Sequence, residues 1–449
     1  MSKDIRIKKG LDIKLVGNAE KNTTKVSLSS VYALQPKDFH GITPKLVAKE
    51  GSEVKAGDTL FYSKSDERIL FPSPVSGKVV EVIRGERRRV LTIKIAADAN
   101  QVYTDFGKKD ASKMSAEEVK NHLFNSGCWP FIKQRPYDVV ANPSQAPKAI
   151  FVSAYASAPL AADLDYTLAG KEIELQAAIT AVSKLTEGKV HVSVGANSNS
   201  PLANLNGIEL HKVSGPHPSG NVGTQIAMID PINKGEVVWV ITPQDLVIIG
   251  ELFLTGKFNA ERTIALTGSQ FSKPHYVQAI AGGLISDITK DNLNNDNTRI
   301  INGNVLSGSA VKEDGFLSYY DNQITAIPEG DDYEFFGWNK PIFDKISTSR
   351  ALTFSWLTPN KKFDLNTNTN GEHRAFVVTG SYENVFPLDI YPMQLLKAFM
   401  YKDLDEMEAL GGYEIAPEDF ALTEFICVSK QPHQKIIREG LDLMREELG

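Results

Sequence analysis

Short apolar runs separated by glycine-containing turns fill the first hundred residues. Residues 41–63 alternate small apolar groups with the turn sequences EG and AGD, and residues 78–95, KVVEVIRGERRRVLTIKI, fit a hairpin that turns at Gly85. Short strands with such turns are typical of a compact sandwich or barrel. We therefore predict an all-β domain over residues 1–100.

Beyond residue 101 the apolar spacing becomes helical and then alternates between the two types of element. SAEEVKNHLFNSG predicts a helix with Ser115 as its N-cap and Glu118 at the capping-box position. Alternating strands and helices indicate a doubly wound, Rossmann-like α/β domain over residues 101–256, with a mostly parallel sheet. Its strands are predicted at 148–155, 189–197 and 206–215, with a helix at 170–188 between the first two.

Two further units complete the pattern. Residues 261–288 predict two strands around a proline-containing turn, which begin a small α+β module over residues 257–330. In residues 392–410, PMQLLKAFMYKDLDEMEAL, apolar positions recur at helical spacing. The region 331–449 is therefore predicted to end in a helical domain, so that the whole chain is a multidomain α/β and α+β protein.

Composition narrows the classes of function. The chain has 449 residues and a net charge of −6, which argues against nucleic acid as the main partner. Its two cysteines, Cys128 and Cys427, exclude a disulfide framework. The N-terminus lacks the apolar core of a signal peptide, and no run approaches the roughly 18 apolar residues of a transmembrane helix. We expect any contact with a membrane to be made through partner subunits.

The stretch FPSPVSGKVVEV, residues 71–82, resembles the Pro-x-x-Gly-x-Val motif of biotinyl and lipoyl carrier domains. In those domains a modified lysine lies at the tip of the preceding hairpin. Counting back from Pro72 places Asp66 at that tip, counting forward from Val54 places Glu67 there, and Lys64 is off the tip in either register. Because an acid cannot form the required amide, we predict a carrier-like domain that is not modified.

Several nucleotide and metal motifs are absent from the sequence. In GELFLTGKF, residues 250–258, five residues separate the glycines and Phe258 follows Lys257, so it is not a phosphate-binding loop. No G-x-G-x-x-G follows the strand at 148–155, and no cysteines and histidines have metal-ligand spacing. The Arg87-Arg88-Arg89 cluster is interpreted as a solvated turn, because three charges fall short of a lipid-binding cluster.

The loop SGPHPSGNVGTQ, residues 214–225, is the strongest candidate site. It follows a strand of the α/β unit, and loops at strand carboxyl ends are where such sheets bind ligands. His217 could donate to a quinone or phosphate oxygen or shuttle a proton, with Ser219 and Gly220 beside it. A rigid turn with an exposed histidine is the alternative.

Four ordered stretches carry a family resemblance: FVSAYASAPLAADLDY, SGPHPSGNVGTQIAMIDP, ALTGSQFSKPHY and GGYEIAPEDFALTEFICV, between residues 151 and 428. With the carrier-like start, they resemble the NqrA family of the bacterial Na⁺-translocating NADH:quinone oxidoreductase over nearly the whole chain. The resemblance implies a peripheral subunit on the cytoplasmic face of the inner membrane, in a six-subunit complex that oxidises NADH, reduces ubiquinone and exports sodium. It also implies a role in the quinone step, from ubisemiquinone to ubiquinol, with no catalytic activity in the isolated chain.

The domain order also resembles the C subunit of the Rnf complex and the flavoprotein subunit of respiratory complex I. The resemblance implies that the α+β module at residues 257–330 is a β-grasp of the soluble-ligand-binding type. Those relatives bind flavin, NADH and iron–sulfur clusters. Here the flavin-loop position offers only Gly127 before bulky Trp129, Ala158 replaces an acid before Pro159, and the helical domain has only Cys427. We therefore expect no redox cofactor and no metal on this chain.

Two alternatives to a quinone-step subunit without its own redox cofactor stay open. One is an Rnf-type redox subunit that binds NADH and flavin. The other is a purely structural subunit required for assembly of the complex.

Overall fold

The computed structural model describes residues 2–295, 297–331, 334–340, 342–350, 354–377 and 379–449. Its strands are β1 (Asp4–Arg6), β2 (Glu20–Lys25), β3 (Val31–Leu34), β4 (Pro44–Leu46), β5 (Glu53–Val54), β6 (Thr59–Ser63), β7 (Leu70–Pro72), β8 (Gly77–Arg84), β9 (Val90–Ala97), β10 (Lys133–Arg135), β11 (Val139–Val140), β12 (Ala149–Ala154), β13 (Lys189–Gly195), β14 (Glu209–Ser214), β15 (Val238–Val240), β16 (Glu261–Thr267), β17 (His275–Ile280), β18 (Thr298–Asn302), β19 (Ser309–Val311) and β20 (Gln323–Pro328).

The α-helices follow the same chain order. They are α1 (Ala116–Asn125), α2 (Leu164–Thr167), α3 (Glu172–Val182), α4 (Val222–Ile229), α5 (Pro243–Thr255), α6 (Ile285–Ile288), α7 (Pro392–Tyr401), α8 (Leu404–Ala409), α9 (Ala421–Phe425) and α10 (His433–Leu448). No helix in the described ranges is long and apolar enough to span a bilayer.

The central sheet has the strand order β1-β14-β13-β12-β15-β10-β11. Pairing is parallel from β1 to β15, and β10 and β11 close the edge in antiparallel pairing. Because side chains alternate along a strand, Ile150 and Val152 on β12 enter the core shared with α3 and α5, whereas Phe151 packs with Ile226 of α4. Helices thus cover both faces, which confirms the predicted doubly wound α/β unit.

The first two strands pair far from the carrier-like unit. β1 joins the central sheet, with Ile5 opposite Val213, and β2 joins the sheet of the α+β module, with Lys25 opposite Gln278. Short polar strands such as β2 carry no alternation that could identify a distant partner. The predicted domain boundary at residue 100 stays a prediction, but these strands link the N-terminal segment to two other units.

The carrier-like unit packs two small sheets, β3-β9-β8-β5 and β4-β6-β7, against each other. Phe61 and Phe71 stack at its centre with ring centroids 4.4 Å apart. In the turn between β6 and β7, the Asp66 carboxylate accepts hydrogen bonds from the Arg68 guanidinium at 2.7 and 3.0 Å. Arg68 also lies over the Phe124 ring of α1, 5.2 Å from its centroid, so this turn is held against the α/β unit.

The α+β module and the C-terminal helices complete the molecule. The module has the strand order β19-β18-β20-β16-β17-β2, and α7 to α10 enclose a separate core. Arg135 on β10 is 2% exposed and forms ion pairs with Asp419, at 3.2 Å, and with Glu418, at 2.5 Å. These pairs connect the helical region to the central sheet.

Candidate functional site

A cavity of about 360 Å³ opens at the carboxyl edge of the central sheet. It lies where β12, β13 and β14 end, at Ala154, Gly195 and Ser214. This is the edge at which doubly wound sheets bind ligands, since the loops that follow the parallel strands meet there. The rest of its wall comes from Tyr155, Ala156, Ala161, Ala162, Asp163, Leu164, Asp165, Ala196, Asn197, Ser198 and Val213.

Two carboxylates in this wall are already bound by the protein. Asp163 caps α2 by accepting the Tyr166 N–H at 3.1 Å and pairs with Lys21 at 2.5 Å. Burial acts to raise the pKa of Asp163, but Lys21 and the backbone N–H groups hold it below its ordinary value. Asp165 accepts from the Ser198 hydroxyl at 2.6 Å and from the Asn199 N–H at 2.8 Å.

The cavity is poorly suited to phosphate. Of the residues that line it only Asp163 and Asp165 are charged, and both are acidic. The helix that begins at its wall, α2, has one turn, and no glycine-rich loop leads into it. A neutral ligand is therefore favoured over a phosphorylated one, since a phosphate needs cations or several free N–H groups.

His217 lies behind this wall and is 3% exposed. Its Nδ1 is 3.0 Å from the Ser157 hydroxyl, and its backbone N–H donates to the Asp12 carboxylate at 2.9 Å. Burial lowers the pKa of His217 to about 4, so the imidazole is neutral near pH 7. The alternative of an exposed histidine is wrong, because the N-terminal segment at Leu11 and Asp12 covers it.

Ser219 and Gly220 belong to the same buried network. The Ser219 hydroxyl donates to the Gly215 carbonyl at 2.9 Å, and the Gly220 N–H donates to Ser157 at 2.7 Å. A Cβ on Gly220 would lie 2.6 Å from the backbone nitrogen of Ser157, so only glycine allows this close approach. These candidates therefore hold the loop after β12 in place and are not among the residues that line the cavity.

The lining residues Tyr155, Ala156 and Ala196 to Ser198 were missed as candidates from the sequence. They carry no catalytic motif, and their common property is position directly after β12 and β13. The rule that ligands bind beyond the carboxyl ends of the strands could have identified them from the sequence. The rule singled out the loop after the third predicted strand, whereas the loop after the first was judged only by its lack of G-x-G-x-x-G.

The flavin-loop position is occupied by a packing contact. Gly127, at φ +70°, ends the turn after α1, and a Cβ there would lie 2.6 Å from Cδ of Pro72. The carrier-like motif thus packs directly on this glycine. Cys128 and Trp129 beside it are fully buried, and burial raises the pKa of the Cys128 thiol to about 12. Side chains of the protein itself therefore fill the space at this position.

The cysteine of the helical region is also enclosed. Cys427 is fully buried and accepts a hydrogen bond from the Tyr382 hydroxyl, with 3.0 Å between oxygen and sulfur. Among the residues with described positions, no group of three or more His, Cys, Asp or Glu side chains could hold a metal ion.

Comparisons with known proteins agree with this architecture. Family models described as the NqrA N-terminal barrel-sandwich hybrid domain, the NqrA second alpha/beta domain and the NQRA C-terminal domain match residues 5–98, 114–258 and 263–313. A barrel-sandwich domain followed by an α/β domain confirms the predicted fold class.

Curated relatives match over their full length. The chain is 37% identical over 446 residues to the A subunit of the Na(+)-translocating NADH-quinone reductase of Neisseria meningitidis serogroup B, covering 99% of this chain and 100% of that protein. The protein of the same name from Histophilus somni strain 2336 is 34% identical, with the same coverage.

Among solved structures, the air-oxidized NAD⁺-reducing [NiFe]-hydrogenase is similar with a TM-score of 0.34 and 10% identity, covering 68% of this chain and 55% of that chain. That likeness is too low to carry an argument. The full-length identity to curated relatives does carry one: the chain belongs to the NqrA family of Na⁺-translocating NADH-quinone reductase subunits.

Proposed function

We propose that this chain is a peripheral subunit of a Na⁺-translocating NADH:quinone reductase complex, on the cytoplasmic face of the bacterial inner membrane. The observation that carries the proposal is the 37% identity over the whole length of a relative named as a subunit of that reductase. The other subunits, six in all with this one, would hold the membrane helices and redox centres. The isolated chain would have no catalytic activity.

Within the complex, we assign the chain to the quinone step, from ubisemiquinone to ubiquinol. The cavity beyond β12–β14 supports this assignment because its wall is rich in alanine and contains no cation, while its two carboxylates, Asp163 and Asp165, are already bound by the protein. A neutral ring with two carbonyl oxygens, such as that of ubiquinone, matches such a wall better than a nucleotide does. His217, Ser219 and Gly220 would act by positioning the loop that carries Tyr155.

The chain is also proposed to carry no redox cofactor. Pro72 packs where a flavin-binding loop would need space, and Cys427 is a single thiol held by Tyr382. One thiolate cannot bind an iron–sulfur cluster, which needs four ligands at close spacing. An absorption spectrum of the purified full-length chain should lack a flavin band and broad iron–sulfur absorption. Either feature would overturn this part of the proposal.

Quinone binding is tested by filling the cavity. Ala196 is exposed at the rim, so Ala196→Trp can occupy the opening without displacing the core. Ala177→Trp is the matched control, because Ala177 lines a different groove of about 500 Å³ beside α3 and α5. Titration with a short-chain ubiquinone, followed by intrinsic fluorescence or NMR, should give saturable binding that Ala196→Trp weakens at least tenfold and the control leaves unchanged.

Three results would redirect the proposal. Absence of saturable quinone binding, with normal co-purification of the other subunits, would favour the purely structural role. Saturable NADH binding together with a flavin spectrum would favour the Rnf-type alternative. Full quinone binding by His217→Ala would show that His217 is not needed to position the loop that carries Tyr155.

A further inference from the structure

Four arginines lie together at the end of the hairpin formed by β8 and β9. Arg84 ends β8, and Arg87, Arg88 and Arg89 form the turn before β9 begins at Val90. All four side chains are exposed. The structure thus adds a fourth cation, Arg84, to the three that are adjacent in sequence.

These charges have almost no partner within the molecule. The Arg84 guanidinium donates to the Arg88 carbonyl at 3.1 Å, and none of the four forms an ion pair in the part of the chain that the structure describes. Glu86 is the one acid in the turn, so residues 84–89 carry a net charge of +3 in a chain whose net charge is −6. Like charges held together without an anion indicate an external anionic partner.

The backbone of the turn supports this interpretation. Arg87 and Arg88 adopt φ values of +53° and +61°, in the left-handed region that glycine or asparagine enters at lower cost. A hairpin turn whose only task was to reverse the chain would be better served by those residues. The fold therefore presents arginine at both positions in spite of an unfavourable backbone conformation.

Two exposed aliphatic side chains lie on the same hairpin, Leu91 beside the turn and Val80 four residues before Arg84. Val80 is 48% exposed and Leu91 is 41% exposed, and Leu91 lies against Gly85 at the start of the turn. A fluid membrane surface can adapt its shape to an exposed turn that carries cations and aliphatic groups. Such a turn therefore needs no concave binding site in its partner. The headgroup layer of an anionic bilayer offers phosphates for the arginines and an apolar boundary for Leu91.

We propose that the β8–β9 hairpin binds the headgroups of anionic phospholipids at a membrane surface. This contact does not depend on the quinone site or on the other subunits. It adds a direct membrane contact to a chain that was expected to reach the membrane only through its partners.

The test is sedimentation of the purified full-length chain with vesicles of phosphatidylcholine alone or with about 30% phosphatidylglycerol. We expect at least tenfold stronger partitioning onto the phosphatidylglycerol vesicles, and loss of that preference in Arg87→Glu/Arg88→Glu/Arg89→Glu. The matched control is Lys37→Glu/Lys49→Glu/Lys55→Glu, which changes the net charge equally at exposed lysines in other turns of the same unit. A second variant with glutamine at the three arginine positions should lose binding without a change of charge sign.

Each outcome bears on the proposal. Equal partitioning onto both kinds of vesicle, or none onto either, overturns it. So does a control variant that loses as much binding as the arginine variant, because net charge alone would then explain the effect. If the arginine variant binds vesicles normally but separates from the other subunits in detergent, the hairpin binds an acidic protein segment and the lipid assignment is wrong.

Discussion

The imidazole Nδ1 of His217 lies 3.0 Å from the Ser157 hydroxyl and joins the loop after β14 to the loop after β12. The same hydroxyl accepts the Gly220 N–H at 2.7 Å, so one serine oxygen contacts both ends of the Pro218-Ser219 stretch. Because Tyr155 and Ala156 precede Ser157 and line the cavity, this network sets the position of the cavity wall.

Ser157→Ala should destabilise the chain by about 1–3 kcal/mol, because it leaves the buried His217 nitrogen and the Gly220 N–H without a partner. Urea unfolding of the full-length protein measures the change. Ser307→Ala, at an exposed serine, should change stability by less than about 0.5 kcal/mol. Equal effects of the two substitutions would mean that the Ser157 network contributes nothing specific.

His217 should make stability fall on acidification. Its pKa is about 4 in the folded chain, and the ordinary value is 6.5, so the unfolded chain takes up the proton first as pH falls. The contribution is fully present above pH 6.5 and is lost as pH falls towards 4. Between about pH 7.5 and about pH 5 the loss from this residue should be about 2 kcal/mol.

The comparison that isolates His217 is His217→Asn, which keeps a hydrogen-bonding group near Ser157 but does not titrate. Other buried histidines whose pKa burial lowers to about 4, such as His122 and His433, remain in both proteins and cancel. Urea unfolding at the same two pH values should show a smaller loss in the variant. Identical losses would show that His217 is already accessible to protons when the chain is folded.

Arg262→Ala should destabilise the protein by about 3–5 kcal/mol. Arg262 on β16 and Asp245 on α5 are each 1% exposed and form an ion pair at 2.5 Å, so the substitution leaves a buried carboxylate without its cation. The double variant Arg262→Met/Asp245→Asn should lose less stability than the sum of the losses in Arg262→Met and Asp245→Asn.

The control for this pair is Arg299→Ala, on strand β18 of the same sheet. Arg299 binds Glu329 at 2.7 Å but its side chain is 39% exposed, so its loss should cost less than about 1 kcal/mol. If the loss of stability in the double variant equals the sum of the two single losses, the ion pair does not couple the α+β module to α5.

Gly223→Ala should destabilise the chain by about 1–3 kcal/mol, although alanine is the better helix former. A Cβ at this position in α4 would lie 2.5 Å from the Arg135 guanidinium and 2.7 Å from the Asp419 carboxylate. The added methyl group would push apart the buried ion pair between the central sheet and the helical region. Unchanged or higher stability in thermal unfolding would show that the pair can shift to accept it.

The sequence alone determined the features that depend on neighbouring residues. The Ser115–Glu118 capping box is present, with the Glu118 carboxylate 2.7 Å from the Ser115 N–H, because a cap needs only residues three positions apart. The absence of a modified lysine at the carrier-like turn is equally a local property. Asp66 cannot form the amide that attaches biotin or lipoate, whatever residues surround it. The alternation of strands and helices likewise predicted the doubly wound unit.

Tertiary structure decided what depends on residues distant in sequence. His217 is covered by Asp12, 205 positions away, and β1 and β2 find partners in sheets formed much later in the chain. The cavity is assembled from three strand ends, and Gly127 serves a contact with Pro72 that no local pattern encodes. Burial and strand pairing are properties of the whole packed chain, so local spacing could place the candidate residues on their loops but could not say what they touch.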